Sequence, residues 1–240
     1  MAVRRPFKIF SPAEDEVWQL LWTKQMPRVH RHASRLWLEG LDKLGLSGDR
    51  IPDFSEMNQR FQDLVGWELV STDVIFSSGQ DWFEHLARRQ FLITEYIRDK
   101  EVLDYTPLPD IWHDTFGHLP LMANQRYADY VERFGKYAIK FTPEQRKSMG
   151  SMWWYTIEFG FMMEDGDMKA FGAGLMSSPG EMDHALSDAV EKVPFSLEVF
   201  DQITPSPHEM HHKLFILDSM DQLERSVDDW VNRYEREHAV

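Results

Sequence analysis

The absence of cysteine is the feature that most restricts how this 240-residue chain can fold and what it can bind. Because no disulfide can form, the fold must rest on hydrophobic packing, and 240 residues are enough to bury a sizeable core. The same absence excludes zinc held by cysteine, iron–sulfur clusters and thiol nucleophiles. A metal site in this chain must therefore use histidine and carboxylate ligands.

The hydrophobic pattern predicts a mostly α-helical fold with minor, short β-strands. Ser11-Pro12-Ala13-Glu14 has the order of a helix start, with Ser11 as the N-cap and Glu14 three residues later. Further helices are predicted over 54–65, 81–97, 110–116, 124–134 and 143–163, and extended segments over 67–72, 168–173 and 214–217. No repeat or flexible linker divides the sequence, so residues 1–240 are predicted to form a single domain.

The charge balance limits the partners that this chain can have. Its formal net charge is −14, which disfavours binding to nucleic acid and to anionic membranes. Its apolar runs stay short of the ~20 residues that a membrane span needs, and its N-terminus lacks the apolar stretch of a signal peptide. We therefore expect a cytoplasmic protein with neither nucleic-acid nor membrane partners.

His113 and His118 form an H-x4-H pair that is a candidate for metal binding. On a regular α-helix a five-residue step rotates by about 140°, so the two imidazoles would not converge. Gly117 allows the backbone to leave helical geometry, and Pro120 prevents a long regular continuation. We expect a helix that ends near Gly117 and turns His118 back toward His113.

Glu158 is a carboxylate within the apolar segment Met152-Trp-Trp-Tyr-Thr-Ile-Glu-Phe-Gly-Phe. Burying a charge without a partner is costly, so the residue needs an explanation. The residues alone leave two interpretations open, a salt-bridged or solvent-facing carboxylate and a metal ligand. Together with two imidazoles, Glu158 would complete the facial triad of oxygen-activating ferrous enzymes.

A second histidine motif, His208-Glu209-Met210-His211-His212, matches the H-E-x-x-H signature of zinc metalloproteases. That chemistry needs His208 and His212 on one face of a stable helix. Prolines precede the motif and a strand-like segment follows it, so a helix there would have barely two turns. A solvated, histidine-rich loop is the preferred interpretation, and a zinc hydrolase is the remote alternative.

Three longer segments, in a fixed order, carry a resemblance to a known family. They are Tyr105-Thr-Pro-Leu-Pro-Asp-Ile-Trp-His-Asp-Thr-Phe-Gly-His-Leu-Pro-Leu, Trp153-Trp-Tyr-Thr-Ile-Glu-Phe-Gly and Ala170-Phe-Gly-Ala-Gly-Leu-Met-Ser-Ser. They resemble the pterin-dependent aromatic amino acid hydroxylases, the family of phenylalanine, tyrosine and tryptophan hydroxylases. The likeness runs from about residue 11 to about residue 225, and the compact form is similar to that of the bacterial phenylalanine hydroxylases.

The resemblance implies an aromatic amino acid hydroxylase-like catalytic domain with iron on His113, His118 and Glu158. Its reaction would use Fe(II), a tetrahydropterin and dioxygen to hydroxylate the ring of an aromatic amino acid. Phenylalanine is the first candidate for the substrate, with attack at the para or the meta position. Tryptophan or another aromatic amino acid is the alternative.

The resemblance also implies which residues contact the substrate and the pterin. Arg98 falls where the family binds the carboxylate of the amino acid, and Asp110 falls where it orients that guanidinium. The other implied substrate contacts are Thr106, Trp154 and Ser177, and the implied pterin contacts are Trp82, Asp114 and Trp153, with Phe83 as the neighbour if the alignment slips by one. Because Trp154 lies four residues before Glu158, we expect the two on one helix face.

Departures from the family pattern leave the substrate open. Trp82 and Trp153 stand where other members often carry tyrosine or phenylalanine, and both positions surround the implied pocket. A metal-binding domain without catalytic activity is a third interpretation of the chain. Segments that assemble larger members of the family are missing, which predicts a monomer.

Overall fold

The computed structural model describes residues 5–74, 78–106, 108–200 and 210–237. The helices are α1 Pro12–His32, α2 Arg35–Leu44, α3 Phe54–Val65, α4 Gly79–Leu86, α5 Leu119–Met122, α6 Gln125–Ala138, α7 Pro143–Trp153, α8 Ala173–Ser177, α9 Pro179–Leu186, α10 Leu197–Phe200 and α11 Met220–Glu237. Two further helical turns, His113–His118 and Trp154–Glu158, have the wider π-helical geometry. The strands are β1 Glu68–Thr72, β2 Gln90–Thr94, β3 Phe161–Glu164, β4 Asp167–Ala170, β5 Glu191–Pro194 and β6 Lys213–Leu217.

Several helices begin and end where the sequence predicts. At the start of α1, the Ser11 hydroxyl accepts a hydrogen bond from the Glu14 amide, and the Glu14 carboxylate accepts one from the Ser11 amide. The helix predicted over 54–65 is α3, which Asp53 caps at its start and Gly66 at its end. Gly66 has a φ of 68°, a left-handed conformation that favours glycine.

The strands in the described residues form two small sheets. β1 and β2 form a parallel pair in which Glu68 lies opposite Gln90. The second sheet has the order β4-β3-β6-β5, with β3 antiparallel to β4 and parallel to β6, and β6 parallel to β5. The mostly helical fold with minor, short strands is therefore confirmed. Within the described residues, no helix combines the length and the apolar character needed to cross a membrane.

The helix predicted over 81–97 is wrong in its second half. α4 ends at Leu86, Arg89 takes a φ of 57°, and the chain then enters β2. β2 is an almost entirely buried run, Gln-Phe-Leu-Ile-Thr, and a short apolar run has no periodicity that separates a strand from a helix. The pairing with β1, which the sequence does not reveal, determines the strand.

The helix predicted over 143–163 is too long. α7 ends at Trp153, a π-helical turn continues to Glu158, and β3 starts at Phe161. Gly160 separates the turn from the strand, and a Cβ atom there would lie 2.3 Å from the Thr156 carbonyl oxygen. The chain therefore folds back on itself at Gly160, a close approach that only glycine permits.

A cluster of aromatic rings supports the His113–His118 turn. Trp112 and Phe116 stack with their ring centres 4.0 Å apart, and Trp18 contacts the edge of this pair. Trp37 packs on Phe116 at 5.0 Å and donates a hydrogen bond from its indole nitrogen to the carbonyl oxygen of Gly117. These tryptophans are fully buried, so the backbone of the turn is held by the largest side chains of the core.

α2 packs against α5 so closely that one position admits no side chain. A Cβ atom on Gly40 would lie 1.7 Å from the carbonyl oxygen of Pro120, well inside any allowed contact. Because α5 directly continues the His113–His118 turn, this contact supports the same part of the molecule as the aromatic cluster.

We expect Gly40→Ala to lower the free energy of unfolding by about 3 kcal/mol, because α2 must move away from α5 to admit the methyl group. The measurement is urea denaturation followed by circular dichroism. Gly150→Ala in α7 is the matched control, since nothing lies within 4 Å of the added Cβ atom. That variant should keep or gain stability, by up to about 1 kcal/mol, from its higher helix propensity. Equal stability of the two variants would contradict the packing described here.

Candidate active site

The structure brings the three predicted metal ligands together. The Nε2 atoms of His113 and His118 lie 3.1 Å apart. The Glu158 carboxylate places Oε2 3.4 Å from the first imidazole and Oε1 3.2 Å from the second. Among the described residues, this is the group of three potential ligands whose donor atoms converge on one point.

The spacing of these donor atoms fits a transition metal. Bonds of about 2.1 Å from a metal to nitrogen or oxygen separate neighbouring ligand atoms by about 3.0 Å at 90° and about 3.4 Å at 110°. The observed 3.1–3.4 Å lies within this range. Two imidazoles and one carboxylate on one face of a metal are the ligand set of non-heme ferrous sites, with the opposite face left for other ligands.

His118 returns to His113 by a different route from the one predicted. The helix does not end near Gly117, because the backbone widens into the π-helical turn His113–His118 and continues into α5. With about 4.4 residues per turn, a five-residue step overshoots one full turn by only about 50°, not 140°. Pro120 has no amide hydrogen for the preceding turn, a common cause of irregular helix geometry.

A second π-helical turn presents Glu158. Its signature is the hydrogen bond from the Phe159 amide to the Trp154 carbonyl oxygen, five residues back, at 3.0 Å. Through the same five-residue spacing, the indole nitrogen of Trp153 donates to Glu158 Oε1 at 2.7 Å. Trp153 is thus the direct partner of the carboxylate. Trp154, expected on the same helix face as Glu158, donates its indole N–H to His211 Nε2 instead, at 2.7 Å.

Ser177 determines which nitrogen of His113 is free for a metal. The Ser177 hydroxyl uses its one hydrogen on the carbonyl oxygen of Ala173, at 2.8 Å. It can therefore only accept from His113 Nδ1, which lies 2.9 Å away. The proton of His113 is held on Nδ1, and the lone pair of Nε2 points to the other two ligands.

The protonation states of the site also suit a divalent metal. Burial lowers the pKa of His113 to about 4, and the neighbouring His118 contributes to the decrease. Burial alone would raise the pKa of Glu158, but the adjacent imidazoles and the Trp153 hydrogen bond lower it to about 2. At neutral pH, His113 is therefore neutral and Glu158 is ionised, as metal ligands must be.

A cavity of about 290 Å³ opens above the three ligands. Its wall contains every residue for which the sequence implied a substrate or pterin contact, except Asp110. These residues are Trp82, Arg98, Thr106, Asp114, Trp153, Trp154 and Ser177. Phe83, the neighbour considered for the pterin, also lies in this wall. Residues from distant parts of the sequence therefore form one compartment around the triad.

Asp110 lies behind the cavity wall and holds Arg98. The carboxylate of Asp110 is fully buried and accepts from Nε and Nη2 of Arg98, at 2.8 and 2.9 Å, and from the Arg98 amide. The remaining nitrogen, Nη1, reaches only carbonyl oxygens at 3.5 Å in the described residues. One edge of the guanidinium is fixed, and the other faces the cavity.

Other predicted residues have defined partners too. The Thr106 hydroxyl donates to the carbonyl oxygen of Leu108 at 3.2 Å. Asp114 accepts from the Thr94 amide at 2.8 Å, and burial raises the pKa of its carboxyl to about 7. The ring of Trp82 packs edge-on against Trp153 at 5.9 Å.

In its described part, the second histidine motif does not form the helix that a metalloprotease needs. His208 and Glu209 lie outside the described residues, whereas Met210, His211 and His212 have an irregular conformation just before β6. His212 is exposed, as a solvated loop would require, but His211 is buried. The interpretation as a solvated loop is therefore wrong for His211, because Trp154 and nearby rings enclose it.

Comparison with known proteins identifies the family. The family model described as biopterin-dependent aromatic amino acid hydroxylase matches residues 6–240. The chain belongs to this family. A phenylalanine-4-hydroxylase of Mesorhizobium japonicum is 36% identical over 217 residues, which cover 89% of this chain and 78% of the relative.

Solved structures of phenylalanine hydroxylases share the fold. The apo structure of the cold-active phenylalanine hydroxylase from Colwellia psychrerythraea matches with a TM-score of 0.90 and 31% identity, over 98% of this chain and 94% of that one. The Chromobacterium violaceum enzyme, with bound iron(III) and 7,8-dihydrobiopterin, matches with a TM-score of 0.89 and 30% identity, over 98% and 87% of the two chains. The resemblance inferred from the sequence segments is thereby confirmed, and the zinc hydrolase and the non-catalytic domain are set aside.

The cavity residues of this hydroxylase that carried no role in the sequence interpretation include Tyr105, Phe159 and Glu181. Phe159 and Tyr105 lie within recognised segments, but an aromatic residue in an apolar run reads as core. Glu181 lies three residues after Ser178, the spacing of a helix start, and Ser178 does cap α9. The sequence around Glu181 is therefore explained by the start of a helix alone. In the structure its side chain faces the cavity and is almost fully buried.

The backbone around the ligands of this hydroxylase is also very closely packed. A Cβ atom on Gly172 would lie 2.4 Å from the Glu158 carbonyl oxygen, and one on Gly117 would lie 2.8 Å from the Ala173 carbonyl oxygen. These glycines let the first residue of α8 and the residue before it lie directly against the two π-helical turns.

We expect Ser177→Ala to weaken metal binding by the hydroxylase about 10–100-fold, because His113 Nδ1 loses its acceptor and the ring is no longer oriented. The dissociation constant for Fe(II), measured under anaerobic conditions, checks this. Ser151→Ala is the control, since the Ser151 hydroxyl bonds only to Lys147 in its own helix among the described contacts. Equal iron affinity in the two variants would contradict the role assigned to Ser177.

Proposed function

We propose that this chain hydroxylates the ring of phenylalanine at position 4, with iron(II) held by His113, His118 and Glu158. A tetrahydropterin and dioxygen are the other reactants. The observation that carries the proposal is the convergence of the three ligands at one end of an aromatic-lined cavity, in a chain of this family. The substrate and the ring position are supported by the names of the relatives, which are phenylalanine-4-hydroxylases.

Arg98 is proposed to bind the carboxylate of the amino acid. Among the described residues that line the cavity, Arg98 is the one arginine or lysine, and Asp110 fixes its guanidinium by two hydrogen bonds along one edge. Nη1, whose contacts to the Leu103 and Ser177 carbonyl oxygens are long at 3.5 Å, offers N–H groups in the planar arrangement that suits a carboxylate. Thr106 and Ser177 border the same compartment and are proposed as further substrate contacts.

Two aromatic walls of the cavity are proposed to bind the two organic reactants, the amino acid and the pterin, at separate places. Trp154 and Phe159 pack together with ring centres 4.8 Å apart, and this surface suits the substrate ring. Trp82 and Trp153 form another surface, with Asp114 nearby in the wall, and this surface suits the flat pterin. A carboxyl group such as that of Asp114 can hydrogen-bond to the nitrogen-rich edge of a pterin.

Each residue then has a separate task in the reaction. When bound, iron(II) and the tetrahydropterin together reduce dioxygen and supply the oxygen atom that enters the ring. Ser177 holds the proton of His113 on Nδ1, and Trp153 orients the carboxylate of Glu158. Arg98 fixes the backbone end of the substrate, so that the aromatic walls decide which ring carbon approaches the metal.

The test is a product analysis with Fe(II), a tetrahydropterin, dioxygen and separate phenylalanine, tyrosine and tryptophan. We expect tyrosine from phenylalanine as the main product. Glu158→Ala should abolish turnover, whereas Glu164→Ala, which removes a half-buried carboxylate in β3, should not. Preferential hydroxylation of tryptophan would replace the proposed substrate, and no hydroxylated product from any of the three would refute the proposal.

We expect Arg98→Lys to raise the KM for phenylalanine about 10–100-fold while the iron content stays at the wild-type level. Lysine keeps the charge beside the buried Asp110 but loses the planar pair of donors. Steady-state kinetics and metal analysis of the same samples measure both quantities. Arg35→Ala serves as the control because its exposed side chain pairs with Asp165. Loss of iron together with the higher KM would mean that Arg98 supports the metal site.

Location in the cytoplasm and a monomeric state stay predictions from the sequence. The absence of nucleic-acid and membrane partners, inferred from the negative charge, also stays a prediction from the sequence.

A further inference from the structure

Trp154 in the cavity wall is tied to a histidine outside that wall. Its indole nitrogen lies 2.7 Å from His211 Nε2. An indole N–H can only donate, so His211 Nε2 must accept. This places the proton of the neutral His211 imidazole on Nδ1, and the tautomer is thus set by Trp154.

The other nitrogen of His211 faces a buried carboxylate. Nδ1 lies 3.6 Å from Glu181 Oε2, and neither atom has a hydrogen-bond partner within the described residues. The exposed fractions are 8% for His211 and 2% for Glu181. Phe159 covers the imidazole, with ring centres 4.2 Å apart. The histidine is thus enclosed by a donor, a carboxylate and a ring.

α9 holds this histidine from two positions. Glu181 and His184 are one helical turn apart on α9. The first faces the His211 imidazole, and His184 Nε2 lies 2.8 Å from the His211 carbonyl oxygen, which can only accept. The same helix therefore holds the backbone of His211 through a hydrogen bond and places a carboxylate opposite its side chain.

We propose that His211 is a positioning residue that sets the orientation of the Trp154 ring and thereby the ring carbon that is hydroxylated. This inference rests on the proposed function, because it takes Trp154 as part of the wall that receives the substrate ring. Trp154 is only half-buried. Without an acceptor at residue 211, its N–H gains a partner by rotating toward the water of the cavity, and the wall then loses its defined shape.

The test compares His211→Leu with His211→Gln. Leucine fills space but cannot accept a hydrogen bond, whereas the glutamine amide offers an oxygen to Trp154 and an N–H to Glu181. We expect His211→Leu to raise the KM for phenylalanine about tenfold with a smaller change in kcat, and to spread hydroxylation over more ring positions. His211→Gln should stay within about twofold of wild type. His212→Leu, at the exposed neighbouring position, is the matched control and should change neither.

A second pair of variants shows whether the effect passes through Trp154. In a Trp154→Phe background the donor is gone, so adding His211→Leu should change KM and product distribution by less than about twofold. A full additional effect in that background would overturn the proposal. So would an unchanged product distribution in folded His211→Leu, or a His211→Gln variant as impaired as His211→Leu.

The contact itself is measured without turnover. In the metal-free protein, the Trp154 indole N–H signal of a 15N–1H correlation spectrum, assigned through Trp154→Phe, should move in His211→Leu and return in His211→Gln. An unmoved signal refutes the hydrogen bond. A wild-type protein that shows the signal but hydroxylates no amino acid would instead refute the proposed function, and with it the specificity role of His211.

Discussion

The site depends on the widening of two helices at the positions of the proposed metal ligands. His113 and His118 converge because the turn between them is π-helical, and Glu158 ends a second turn of the same kind. A regular α-helix would direct the two imidazoles about 140° apart. Such turns weaken the local hydrogen-bond geometry. Here the stacked rings of Trp112 and Phe116, and the hydrogen bond from Trp37 to the Gly117 carbonyl oxygen, stabilise the first of them.

Charge explains why such a centre needs a cation. Three carboxyl groups, those of Asp114, Glu158 and Glu181, line the cavity, and Asp114, with its pKa raised to about 7, carries only part of a charge at neutral pH. Arg98 lines it too, but Asp110 already neutralises this guanidinium through two hydrogen bonds. A divalent metal at the triad offsets the remaining negative charge, and the carboxylate of an amino acid can then approach Arg98 without strong repulsion.

The sequence predicted the chemistry of the site better than its geometry. The ligands and several cavity residues followed from the family resemblance that three motifs carry, whereas the residue types alone left the role of Glu158 open. The π-helical turns did not follow, since a one-residue widening leaves no distinct periodicity. β2 was missed because its pairing with β1 is a long-range contact, and the helix assigned to 81–97 reflects this. His211 was misread because its partners, Trp154 and Glu181, are distant in the sequence.

The tight backbone contacts at Gly117 and Gly172 divide the pocket into parts with unequal freedom to change during evolution. A larger residue at either glycine would displace a segment that bears a proposed metal ligand. We therefore expect substitutions there to be disfavoured whichever substrate the enzyme accepts. The aromatic walls have no comparable constraint from the backbone. Trp82 can be exchanged for a smaller ring at the expense of local packing, whereas exchange of Trp153 or Trp154 also removes a hydrogen bond, to Glu158 or to His211. Divergence toward new substrates is therefore expected to accumulate in these walls, while the oxygen-activating end is inherited unchanged.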